Sequence, residues 1–120
     1  MLATRAFAAR FAEKMKRPPT PQQMGVYTSV RHYLKAVADA GTTDSDAVMA
    51  KIRSTPINIF NTRDGHVRAN GSVVRERYVF EVKSPAESKA PWDYLKVAKV
   101  LTPEQGAPLP VEKSGCKFVN

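Results

Sequence analysis

The side chains with which this chain could do chemistry are few. Tyr27, Tyr33 and Tyr78 with Asp39 and Glu76 offer titratable groups, but their spacing compels no nucleophile, base and orienting partner, so catalysis is not expected. His32 and His66 lie far apart in sequence and do not make a metal site, and one cysteine, Cys116, excludes both an internal disulfide and a multi-thiolate zinc centre. No cofactor and no metal are therefore expected. The densest cluster of polar chemistry is residues 56–83, "PINIFNTRDGHVRANGSVVRERYVFEVK", with four arginines, a histidine, two Gly turns and a period-2 strand. Such a stretch could be a basic hairpin that grips nucleic acid. Its cations Arg63, Arg68, Arg75, Arg77 and Lys83 are offset by Asp64, Glu76 and Glu81, leaving a net of +2, which is weak support for that role.

The charge of the whole chain sits elsewhere. Of the formal +8, residues 1–35 carry +6: Arg5, Arg10, Lys14, Lys16, Arg17, Arg31 and Lys35 against Glu13 alone. This basic third leaves open a second reading, a small module that binds nucleic acid or another anionic surface. At 120 residues the chain has the length of about one domain, and 42% hydrophobic with 25% charged residues is ordinary for a folded protein. No apolar run approaches a membrane span, and "MLATRAFAARFAEK" lacks the continuous apolar core of a secretory signal. Its arginines beside Phe7 and Phe11 are shared by mitochondrial presequences and by ordinary amphipathic helices.

The elements that must position these residues follow from periodicity and caps. Phe7, Phe11 and Met15 recur at i, i+4 and i+8, which predicts a helix over residues 3–16, and "RPPTP" ends it. Thr20 as N-cap, Pro21 at the first position and Gln23 at capping-box spacing predict a second helix over residues 21–40, stopped by Gly41. "TTDSDAVMAKIRS" predicts a shorter helix with Thr43 as its cap and Val48 and Ile52 on the buried side, closed by Pro56. Residues 57–60 suit a short strand, and Asp64-Gly65 and Asn70-Gly71 read as a pair of turns. "SVVRERYVFEVK" alternates as one half-buried strand, with Val74, Tyr78, Phe80 and Val82 sharing a face with Glu76. "DYLKVAKVL" is expected to pair with it antiparallel across "SPAESKAPW". The tail from Thr102 is irregular.

Three helices followed by an antiparallel strand pair is an odd order for a complete α/β domain, because parallel folds interleave helices with strands. The residues themselves resolve the oddity. "GVYTSVRHYLKAV", "AGTTD", "DG" followed by "NG", "SPAESK", "PWDYLKV" and the terminal "SGC" together closely resemble the C-terminal part of periplasmic substrate-binding proteins of the branched-chain amino acid ABC transporter type. The resemblance runs over residues 3–119. It implies a type I periplasmic-binding fold, a two-lobed α/β receptor that closes over a small amino or organic acid and delivers it to an ABC permease in the membrane. Incomplete lobes are expected: residues 1–17 as a second-lobe helix, 18–55 as a crossover and first-lobe helices, and 56–120 as closing strands and tail. Ile59, Ala69-Asn70 and Lys117 depart from the residues that similar proteins often carry there.

The resemblance makes Gln22, Gln23 and Met24 the ligand-contact candidates, with Tyr27 one turn on. The plainer reading gives Gln23 to the capping box, Met24 to packing and Tyr27 to the core. Trp92, after Pro91, is expected to anchor the strand pair rather than to stack on a ligand. Cys116 is expected to have had a disulfide partner upstream, in an oxidising compartment. The full-length family is periplasmic; with no signal peptide of its own, the chain is expected to stay cytoplasmic if expressed as it stands. A truncated gene, a partial gene or an internal start at Met1 would each account for a fragment. Such a fragment is expected to bind ligand poorly, to bind no nucleic acid, and to self-associate through helix faces made for absent sheets.

Overall fold

The structure, a computed structural model, describes residues 2–60 and 62–117. Three helices come first: α1 (Leu2–Met15), α2 (Pro21–Ala40) and α3 (Ser45–Ser54). Five strands follow, β1 (Ile57–Ile59), β2 (Thr62–Val67), β3 (Val73–Val74), β4 (Arg77–Val82) and β5 (Leu95–Leu101), then a 3₁₀ turn at Val111–Lys113. Phe118 and Val119, at the end of the terminal motif, and Met1 lie outside the described residues.

Local signals fix the helix ends. α1 stops where Lys16 turns left-handed at φ 56° and two prolines follow, neither of which can donate to a helical ladder. The Gln23 side chain accepts from the Thr20 backbone N–H at 2.6 Å, which opens α2 as the capping-box spacing requires. Gly41 closes α2 at φ 65°, its N–H donating to the Val37 and Ala38 carbonyls at 3.0 and 3.3 Å, a conformation glycine adopts without strain. The cap of α3 is Asp44 rather than Thr43. Its carboxylate accepts from the Ala47 N–H at 3.0 Å, while the Thr42 hydroxyl accepts from the Asp44 N–H. A carboxylate also meets the positive end of the helix more favourably than a hydroxyl, which is why the neighbouring acid displaces Thr43.

The strands form two sheets. β1, β2 and β3 make a three-stranded antiparallel sheet in that order, and β4 pairs antiparallel with β5. Two expectations fail here. Asp64 and Gly65 are not a turn: β2 runs straight through them, with Gly65 opposite Ile57. Gly65 is there for space, since a Cβ would stand 2.5 Å from Thr62 Cγ2 and 3.3 Å from the Val74 carbonyl. The Asn70 and Gly71 turn does form, joining β2 to β3. Residues 72–83 are not one strand either. The chain leaves the first sheet after Val74 and enters the second at Arg77, so Arg75 and Glu76 form a link between sheets.

The buried core is small. Ala36, Val48, Ile57 and Val74 are buried, with Thr62 among them. α2 and α3 pack together, and the His32 ring nitrogen lies 3.1 Å from the Ile52 carbonyl across that contact. α1 joins through aromatic rings, Phe7 lying 4.8 Å from Tyr27 and 5.1 Å from Phe60, and through the Thr4 hydroxyl on the Phe60 carbonyl. The molecule measures 53 × 34 × 20 Å with a radius of gyration of 17.0 Å. A compact chain of this length has roughly 13.6 Å. The elements therefore spread as a slab, and much apolar surface stays outside.

Candidate functional site

The arginines of residues 56–83 are largely engaged with backbone. Arg68 donates to the Pro108 and Leu109 carbonyls at 3.1 and 3.3 Å, and Arg77 Nε donates to the Gly106 carbonyl at 2.9 Å. Together they strap the tail back onto the strands. Arg75 reaches the Thr62 hydroxyl at 3.4 Å, and partial burial beside Arg77 lowers its pKa, with Tyr78 opposing. In the basic N-terminal third, Lys35 pairs with Asp39 at 2.7 Å and Arg31 lies 5.7 Å above the Tyr27 ring.

The four ligand candidates on α2 are separated by the helix. Gln22 is exposed. Gln23 is held in the cap of α2 by its bond to Thr20. Tyr27 packs between Phe7 and Phe60, with ring centroids at 4.8 and 5.8 Å. Met24 alone of the four lines a groove, about 410 Å³, bounded by Arg5 of α1, Thr28 of α2, the Arg75 and Glu76 link, and Phe80 and Val97 of the second sheet. Pro21, Met24, Gly25 and Thr28 recur at i, i+3, i+4 and i+7, so one face of α2 forms its floor. A second groove of about 670 Å³ continues along α2 past His32 and Tyr33, and Gly25, Thr28, Arg75 and Arg77 border both.

This groove is amphipathic in a useful way. Met24, Phe80 and Val97 offer apolar contact, while Arg5, Arg75 and Arg77 against Glu76 leave an excess of positive charge at its edge. Such a wall suits a small molecule with a carboxylate at one end and a hydrocarbon at the other. Sequence reasoning missed Arg75 and Glu76 as site residues because it ran a single strand through them. The signal was present: a carboxylate on the face shared by Val74, Tyr78 and Phe80 is costly in a continuous half-buried strand, and a break at Glu76 removes the cost.

Trp92 does not anchor the strand pair. It sits before β5, 63% exposed and left-handed at φ 71°, touching Tyr94 edge-on. The pair is held instead by charge across residues 83–96. Lys83 meets Asp93 at 2.6 Å, Lys96 meets Glu87 at 2.6 Å and Glu81 at 3.6 Å, and Glu87 caps Ser84 through its N–H and hydroxyl. Cys116 is half-exposed as a free thiol. Among the described residues no group of three His, Cys, Asp or Glu could hold a metal, and no helix is long and apolar enough to cross a membrane.

Residues 2–89 match the periplasmic binding protein family. No curated protein matches the chain. Two solved structures do: a periplasmic binding protein from Burkholderia mallei, 42% identical with a TM-score of 0.91 over 100% of this chain, and a branched chain amino acid ABC transporter periplasmic ligand-binding protein from Burkholderia xenovorans, 37% identical with a TM-score of 0.85 over 97%. This chain covers 32% and 31% of those two chains, about a third of their length. Members of the family hold ligands rather than transform them. With a family match over most of its length and the fold of a solved relative throughout, the chain belongs to the periplasmic binding proteins.

Proposed function

We propose that this chain supplies part of the substrate-binding component of an ABC importer for branched-chain or related amino acids or small organic acids. The observation that carries the reading is the likeness, at 37% identity and a TM-score of 0.85, to a relative described as a branched chain amino acid ABC transporter ligand-binding protein. The groove at Met24 supports it, because its apolar floor and cationic edge match the two ends of such a ligand.

In this reading Met24 touches the hydrocarbon of the ligand, and Gln22, exposed at the mouth of α2, offers an amide to its polar end. Gln23 and Tyr27 act indirectly, one by fixing the start of α2 and the other by seating α2 against α1. Ligand closure needs a second wall, which this chain does not supply, so residues 1–120 alone bind weakly. The assembled receptor works in the periplasm and hands its ligand to a membrane permease. Cys116 takes a thiol partner from outside this chain. Calorimetry against a panel of branched and aromatic amino acids and small organic acids tests the reading. Micromolar binding by a receptor completed with the missing two-thirds supports it, and no binding to any member of the panel refutes it.

A further inference from the structure

We propose that the apolar surface running from the Met24 groove along the β4–β5 ladder, together with the outward stripe of α2, is one side of an obligate interface. Its occupant is the part of the periplasmic-binding fold that this chain does not span, carried on the same polypeptide or on another. The inference rests on the family reading above and concerns what covers this surface rather than what ligand is held.

Three observations identify the surface and its occupant. First, the ladder is apolar and open. Phe80 stands opposite Val97 and Val82 opposite Leu95, so these pairs share a face. Phe80, Val82 and Leu95 are 54, 73 and 53% exposed, and Phe80 and Val97 also line the groove, which makes groove and ladder continuous. Second, α2 is apolar nearly all round. Ala36 is buried, Tyr27 packs on α1 and Met24 faces the groove, yet Val26, Val30 and Leu34 form an outward stripe at i, i+4 and i+8. A helix of that kind belongs inside a larger body, not at a water-facing surface.

Third, the area is too large for a casual contact. The chain exposes 8924 Å², against roughly 6,450 Å² for a folded monomer of its mass. The excess of roughly 2,500 Å² on one partner exceeds the roughly 800 Å² of a standard interface and reaches the obligate class. At the same time the chain already has the backbone of its solved relative, with a TM-score of 0.91 over its whole length, while covering 32% of that relative. It is therefore shaped to receive the remaining two-thirds.

The test mixes residues 1–120 with a polypeptide carrying the part of the Burkholderia mallei protein that this chain does not match. Size-exclusion chromatography with light scattering and amide exchange follow the mixture. The expected result is a one-to-one complex, with protection gained at residues 78–82, 95–97 and 26–34. Phe80→Asp and Val82→Asp, each at an exposed site and checked for helix content by circular dichroism, should weaken the complex at least tenfold, whereas Lys51→Gln on α3 should not. A chain that stays monomeric, or that keeps a homodimer in preference to the added polypeptide, overturns the proposal. A complex that forms but binds no amino or organic acid leaves this interface standing and refutes the proposed function instead.

Discussion

The Phe7 ring of α1 stacks on the Phe60 ring at the end of β1, centroids 5.1 Å apart and 20° between planes, with Tyr27 of α2 against both. Three rings from three elements thus seat a helix whose own hydrogen bonds could not hold it in place. Isolated helices of this length are marginal in water. Phe7→Ala should cost about 2 kcal/mol, less than a fully buried ring because Phe7 is only half-buried, and should expose α1 to protease before the rest of the chain. Phe7→Leu should lose less. Urea unfolding with limited proteolysis reads both, and an unchanged midpoint in Phe7→Ala would show that α1 is held by other means.

The cap of α3 separates two neighbouring residues. Asp44→Ala should destabilise the chain by about 1 kcal/mol, because the Ala47 N–H loses its acceptor. Thr43→Ala should change the unfolding midpoint little. The reverse ranking would move the cap back to Thr43.

Acid should loosen the β4–β5 hairpin. Lys96 and Ser84 hold the Glu87 carboxyl down from its ordinary 4.5 to about 2, and Lys83 and Lys89 lower Asp93 in the same direction. A carboxylate depressed in the folded state stabilises it fully above the unfolded value, near 4.5 for Glu87, and the contribution is lost as pH falls from there through about 2. Amide exchange of β4 and β5 should therefore be steady above that range and rise below it. Glu87→Gln should flatten the profile, and salt should shrink the effect because the pair is exposed. An identical profile in Glu87→Gln would remove Glu87 from the clasp.

Much of this architecture is readable in the sequence where the cause is local. Thr20, Pro21, Gln23 and Gly41 specify both ends of α2 by short-range bonds, and the structure agrees residue for residue. The antiparallel pairing of β4 with β5 was equally legible, because its loop is short and its residues alternate. What escaped depends on distant partners. Gly65 looks like a turn glycine until Thr62, Ile57 and Val74 are seen crowding it. The break at Arg75 and Glu76 is set by which sheet each flank joins, and no window of sequence contains that choice. Trp92 carries the size of an anchor, but its burial depends on surfaces outside this chain. For the candidate site, sequence named Met24 and missed Arg75, since one lies on a regular helix and the other on an unforeseen link.

The basic third should not make the chain a nucleic-acid binder. Lys35 is paired with Asp39 and Arg31 lies over Tyr27, which leaves the remaining cations spread along α1 and its end. Fluorescence anisotropy with an unrelated duplex should find no retained complex at ~150 mM salt, a condition that already screens scattered exposed charge. Tight binding there, falling steeply as salt rises, would favour the anionic-surface reading.

The central claim is that the Met24 groove is one wall of a ligand cleft. Titrating a panel of branched and aromatic amino acids and small organic acids into the chain alone, and into the chain completed by the missing two-thirds of the fold, tests it in one calorimetric experiment. The expected result is no measurable heat of binding for residues 1–120 and binding of at least one ligand at about micromolar Kd for the completed receptor, weakened at least tenfold by Met24→Ala. Micromolar binding by residues 1–120 alone, or a completed receptor indifferent to Met24→Ala, would contradict it.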